Sequence, residues 1–164
     1  ASVVSDVVRA RQKQVALHGM SHTVSMDVPE DLLVQADVAR LKEVLENLIS
    51  NAVKYSPHGG MVRVDAGISD DDPQMALIRV SDEGVGIASE AHEHIFERFT
   101  RSESALASEI RGTGIGLYLA RQLVESMGGA IWLERSEPGN GSTFAYTLPL
   151  ASVAPEHLAS SPNL

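Results

Sequence analysis

Residues 41–55 read Leu41-Lys42-Glu43-Val44-Leu45-Glu46-Asn47-Leu48-Ile49-Ser50-Asn51-Ala52-Val53-Lys54-Tyr55. At about 100° per residue, Leu41, Val44, Leu45, Leu48 and Ala52 share one stripe, the pattern of a helix packed on a sheet. Asp37 suits its N-cap, because a side-chain oxygen there accepts an early orphan N–H. Ser56-Pro57-His58-Gly59-Gly60 ends it. Asn47, Asn51 and Lys54 stand at i, i+4 and i+7 and cluster beside the apolar stripe. Asn is a poor helix former, and each of these two costs roughly half a kcal/mol. Two readings are open at this point. They are solvated polar residues, or their carbonyl oxygens ligate a hard cation such as Mg²⁺ while the Lys faces phosphate oxygens.

Upstream, Val4, Val7, Val8, Arg11 and Val15 mark a helix over residues 3–17, stopped by Gly19. Alternation at Val24, Met26 and Val28 predicts a strand, and residues 32–36 a second short one. Downstream, residues 61–68 and 75–81 are strands around an acidic turn, Asp70-Asp71-Asp72-Pro73. A short helix is expected over 89–96, a loop over 100–111 and a helix over 115–127. Residues 131–135 and 142–148 form a hairpin around Glu137-Pro138-Gly139-Asn140-Gly141. The small, polar residues 151–164 read as a disordered tail. Hairpins interspersed with helices predict an α+β, two-layer sandwich. Its sheet is mixed and mostly antiparallel, of about five strands, with about three helices on one face. Strict βαβ alternation, which a doubly wound sheet needs, is absent.

Two glycine boxes flank the third quarter of the chain. Strand 75–81 runs into Asp82-Glu83-Gly84-Val85-Gly86-Ile87. An Asp there can accept a hydrogen bond from an exocyclic amine such as that of adenine, beside glycines that let a ligand near the backbone. A plain turn is the alternative. Arg111-Gly112-Thr113-Gly114-Ile115-Gly116-Leu117 opens a helix, whose first N–H groups favour an anion. Neither a dinucleotide-binding nor a P-loop motif is present.

The 164 residues suit one domain, and the net charge of −9 opposes a nucleic-acid partner, which needs clustered Lys and Arg. With no cysteine, disulfides and thiolate metal sites are excluded. No apolar run reaches the ~20 residues that span a bilayer. A start at Ala1, without Met, reads as an excised piece of a longer protein.

In order, the chain carries Asn47-Leu-Ile-Ser-Asn51-Ala-Val-Lys54-Tyr55, Asp82-Glu-Gly-Val-Gly-Ile87, Phe96-Glu-Arg-Phe99 and Gly112-Thr-Gly-Ile-Gly-Leu117. This series closely resembles the N box, first glycine box, F box and second glycine box of histidine kinase catalytic domains. Those domains belong with the gyrase, heat-shock chaperone and mismatch-repair ATPases of Bergerat fold. The resemblance spans residues 20–150 and implies a set of roles. Asp82 would bond the adenine amine, supported by Thr143, and Asn51 would ligate Mg²⁺. Asn47, Lys54 and Arg101 would contact the phosphates as the catalytic set, and Tyr55 would flank the nucleotide. Gly84 and Gly86 would leave room for the base. Gly112, Gly114 and Gly116 would let residues 100–111 fold over the triphosphate. Ile87, Thr113, Ile115 and Leu117 complete the ATP-binding set.

In the ATP-hydrolysing relatives a Glu four residues before the metal-binding Asn activates water. Asn47 stands there in this chain, so slow hydrolysis and transfer of the γ-phosphate to another acceptor are expected. None of the six histidines, at 18, 22, 58, 92, 94 and 157, has the sequence context of the family's acceptor. The acceptor is therefore expected on a separate helical dimerisation domain, with residues 1–19 as the linker helix and a response regulator downstream. The piece itself would be monomeric and cytoplasmic, and its parent a homodimer. An anti-sigma-type serine kinase, a hydrolytic ATPase and a degenerate contact domain are the competing readings.

Overall fold

The central helix begins where the Asp37 side chain accepts the Arg40 backbone N–H at 2.9 Å. A computed structural model describes residues 2–98 and 114–151. In chain order the elements are α1 (Ser2–Leu17), β1 (His22–Asp27), α2 (Val38–Lys54), β2 (Gly60–Ile68) and β3 (Met75–Asp82). They are followed by α3 (Gly116–Ser126), β4 (Ile131–Ser136) and β5 (Ser142–Pro149). A 3₁₀ turn occupies Ser89–Ala91.

The sheet order is β1-β2-β3-β5-β4. β1 pairs parallel to β2, because α2 crosses over between them, and every other pair is antiparallel. Register puts Val64 opposite Val80, Val80 opposite Phe144 and Ile78 opposite Tyr146. These side chains share one face, and they are buried together with α2 residues Val44, Leu45, Leu48 and Ile49. α2 lies between α1 and α3, so its buried arc widens beyond the predicted stripe to include Ile49 and Val53.

The other face of the sheet is open and mostly charged, with Met61 and Trp132 also exposed on it. Asp27, Arg63, Asp65, Arg79 and Glu134 form a ladder of alternating charge from β1 to β4. Arg79 Nε reaches Glu134 at 2.8 Å across β5, over the buried Ala145. A sheet with one apolar and one wetted face is what the period-2 patterning of β3 encodes.

Two sequence expectations fail. Residues 32–36 make a single bridge, Val34 to Leu150, and no strand. Leu32, Val34 and Ala36 do pack against the core rim, so the alternation reports one-sided burial without a hydrogen-bonded ladder. Residues 89–96 make successive i→i+3 bonds, such as His92 N–H to the Ser89 carbonyl and Glu97 N–H to the His94 carbonyl. That is a chain of tight turns and no α-helix. Arg101, Gly112, Thr113, the predicted loop 100–111 and the tail beyond residue 151 lie outside the described residues.

Candidate functional site

Asn47, Asn51, Lys54 and Tyr55 open from α2 into a cavity of about 360 Å³, a volume in the range of small-ligand sites. Ser50 and Ala52 line it from the same helix. Asn47 to Tyr55 covers about 12 Å of helix axis, at 1.5 Å per residue. At the Asn47 end stands the start of α3. A Cβ built on Gly116 would lie 3.2 Å from Asn47 Oδ1 and 3.9 Å from Asn51 Nδ2, so the absent side chain lets α3 approach both amides. Gly114 and Leu117 also line the cavity, while Ile115 does not and is exposed. At the Tyr55 end stands Asp82.

Asp82 is the last residue of β3 and is 9% exposed. Its Oδ1 accepts the Gly84 N–H at 2.8 Å and the Ser142 N–H at 3.3 Å. Both hydrogen bonds to Asp82 among the described residues end on Oδ1, and the carboxylate lines the cavity. Burial pushes its pKa up, and the two backbone N–H groups oppose that in part. The site therefore holds an acceptor without a donor among the described residues, in a partly desolvated wall. Ile87, Ala91, Ile95 and Phe144 supply apolar surface around it. Phe144 is braced edge-to-face by Phe96, with centroids 6.1 Å apart. Lys54 Nζ sits 4.9 Å from the centre of the Tyr55 ring.

Thr143 is displaced from its expected place. It pairs with Ser81, so strand parity turns it to the open face, where its Oγ1 lies 3.0 Å from Ser81 Oγ. Ser142, opposite Asp82, occupies the cavity wall instead. The glycines of the first box have a further role in the fold. A Cβ on Gly84 would collide with the Tyr55 carbonyl oxygen, and one on Gly86 with the Glu137 carbonyl oxygen. Gly86 has φ +68°, which only glycine adopts freely. Both are required by close packing of the protein on itself. Gly86 lines the cavity as well.

The sequence reading also missed Ser50, Ala52, Ala91, Ile95, Ser142 and Phe144 as lining residues. The small residues carried no signal. Phe144 was read only as part of a hairpin.

Among the described residues no group of three or more His, Cys, Asp or Glu could hold a metal. A cation in this cavity would depend on neutral Asn oxygens, with the rest of its coordination from a ligand and water, a set that suits Mg²⁺ carried on phosphates. Glu43 and Glu46, the carboxylates nearest Asn47 on α2, are exposed, and Glu46 lies 3.9 Å from Lys42.

The profile of the family described as "Histidine kinase-, DNA gyrase B-, and HSP90-like ATPase" matches residues 36–152. The sensor histidine kinase WalK of Bacillus subtilis is 41% identical over 119 residues, which cover 73% of this chain and 19% of that protein. The chain thus spans about a fifth of that relative's length. A mycobacterial sensor histidine kinase structure, MprB, superposes with a TM-score of 0.74 at 27% identity over 91% of this chain and 93% of that one. Full-length ShkA, solved in complex with AMPPNP, gives a TM-score of 0.75 at 28% identity over 93% of this chain and 30% of that one. The chain belongs to the histidine kinase-, DNA gyrase B- and HSP90-like ATPase family, as a catalytic domain of its histidine kinase branch.

Proposed function

We propose that this domain binds Mg-ATP in the cavity along α2 and presents the γ-phosphate to a histidine on a separate dimerisation domain. The observation that carries the proposal is Asp82, a buried carboxylate with one oxygen fixed by two backbone N–H groups and the other without a donor among the described residues. An exocyclic amine of adenine complements such an oxygen. The AMPPNP bound by the similar full-length ShkA supports the same ligand class.

Asn51 would hold Mg²⁺ through its side-chain oxygen, and when bound the ion would neutralise charge on the triphosphate. Asn47 and Lys54 would fix the phosphates, and Tyr55 would flank the nucleotide. Arg101 and the glycines of the second box would complete that grip. Ser142 takes over the supporting place first assigned to Thr143. With Asn47 where a water-activating Glu would stand, no side chain on this face of α2 is suited to deprotonate water. Transfer rests on positioning and charge neutralisation. α1 would join the domain to the helical one, a response regulator would receive the phosphate, and the parent would act as a cytoplasmic-facing homodimer.

Calorimetry with Mg-ATP on this chain tests the first half, with binding expected at one site. Incubation with γ-labelled ATP tests the second. Label is expected on a histidine of an added helical bundle from the same parent and none on this chain alone. Steady phosphate release above about one turnover per second would point to a hydrolase.

A further inference from the structure

His22, the first residue of β1, stands behind the cavity wall. Its Nε2 lies 2.8 Å from the Ser56 carbonyl oxygen. A carbonyl only accepts, so Nε2 carries the proton and donates. The other ring nitrogen, Nδ1, is buried and has no hydrogen-bond partner among the described residues. The ring thus commits its one satisfied bond to Ser56.

Ser56 is 2% exposed and follows directly on Lys54 and Tyr55. Its hydroxyl donates to the Ala52 carbonyl at 2.8 Å, closing the last turn of α2. The Tyr55 carbonyl accepts the Val85 N–H at 2.9 Å, and Gly84 packs against that same oxygen. The turn that carries Lys54 and Tyr55 is therefore gripped from two sides. The first glycine box holds it from the cavity side and His22 from β1. The Ser56 carbonyl, just beyond α2, also accepts the Gly59 N–H at 3.0 Å, so His22 adds a second, side-chain donor that ties this turn to β1. β1 in turn is tied to α1, where Gln12 Nε2 donates to the Val24 carbonyl at 2.7 Å.

The geometry points to His22 as a positioning residue for phosphate binding. Through Ser56 it fixes the turn from which Lys54 and Tyr55 reach the cavity. Asp82 is fixed by its own two bonds, from the Gly84 and Ser142 N–H groups, neither of which comes from His22. This inference rests on the proposed nucleotide site.

The test compares two ligands on His22→Leu, His22→Gln and His22→Asn in the full 164-residue chain. One ligand is a non-hydrolysable ATP analogue with Mg²⁺, and the other is adenosine. Loss of one hydrogen bond of ordinary strength, felt in full at the site, is a fall in affinity of about two- to tenfold. H22L is expected to lose that much for the triphosphate and less than twofold for adenosine. H22Q, whose amide nitrogen reaches the place of Nε2, is expected to recover the triphosphate affinity. H22N is too short to do so.

Equal triphosphate affinity in H22L and the unsubstituted chain would overturn the inference, as would a proportional loss for both ligands, the mark of general destabilisation. If H22L does not fold, the contrast between Gln and Asn decides, and equal binding by those two overturns it. Absence of binding by the unsubstituted chain would instead remove the nucleotide site, and His22's role with it.

Discussion

Replacing Asp82 by Asn separates recognition from folding at one atom. The two backbone N–H groups of Gly84 and Ser142 both point at Oδ1. An Asn there must keep its carbonyl oxygen on them, since turning the amide over would set donor against donor in a buried site. Its NH₂ then takes the place of Oδ2 and faces the adenine amine with a second donor. A hydrogen bond to a charged group contributes about 1.5–3 kcal/mol, so affinity for Mg-ATP should fall roughly 10- to 150-fold. Discrimination against GTP should narrow, because the guanine oxygen at that position accepts from the new NH₂.

Folding should move the other way. Burial raises the Asp82 pKa above its unfolded value, so ionisation is penalised in the folded state. Below about pH 3.9 the carboxyl is protonated folded and unfolded, and no penalty operates. As pH rises from there through the raised folded value, stability is lost. Asp82→Asn should therefore match or exceed the unsubstituted chain in ligand-free thermal stability at pH 7, and the difference should shrink as pH falls towards 4. Isothermal calorimetry and scanning calorimetry read the two effects. An Asn variant that binds Mg-ATP within twofold of the original would refute the assignment of the base site. One that unfolds well below it at pH 7 would refute the account of the carboxylate.

Other substitutions divide site from scaffold. Asn51→Ala should abolish the difference in ATP-analogue affinity between Mg²⁺ and EDTA, measured by calorimetry, and leave adenosine binding unchanged. Gly86→Ala should cost about 1–2 kcal/mol for the left-handed backbone alone, and more for the Glu137 collision. For a domain of this size that lowers the melting temperature by at least roughly 2–4 °C. Phe144→Ala should cost about 3 kcal/mol and weaken nucleotide binding, since Phe144 is both core and cavity wall. Arg79→Met should change stability by under about 1 kcal/mol in denaturant titration, because the pair with Glu134 is about one-third exposed on each side.

The helix carrying Asn47, Asn51 and Lys54 was legible because its apolar period, its Asp37 cap and the stop at Ser56-Pro57-His58-Gly59-Gly60 agree. The same held for β2, β3 and the closing hairpin, where alternation and turn glycines coincide. Residues 32–36 misled because one-sided burial and strand pairing leave the same pattern of side chains. Thr143 was misplaced by one residue, and in a strand one residue is the difference between two faces. The roles of Gly84 and Gly86 were hidden because their neighbours, the carbonyls of Tyr55 and Glu137, come from distant parts of the chain. Ala91 and Ile95 reach the cavity from turns that periodicity describes poorly.

The five residues from Asp27 to Glu134 on the uncovered side of the sheet sum to a single negative charge, against −9 for the whole chain. Most of the acidic excess therefore belongs to other parts of the surface. These residues neutralise one another across the strands, so that flank has little long-range field, while Met61 and Trp132 stand exposed beside them. Charged macromolecules drifting past would gain scant purchase there, and raising ionic strength should loosen the cross-strand pairs while leaving the Met61 and Trp132 side chains as they are.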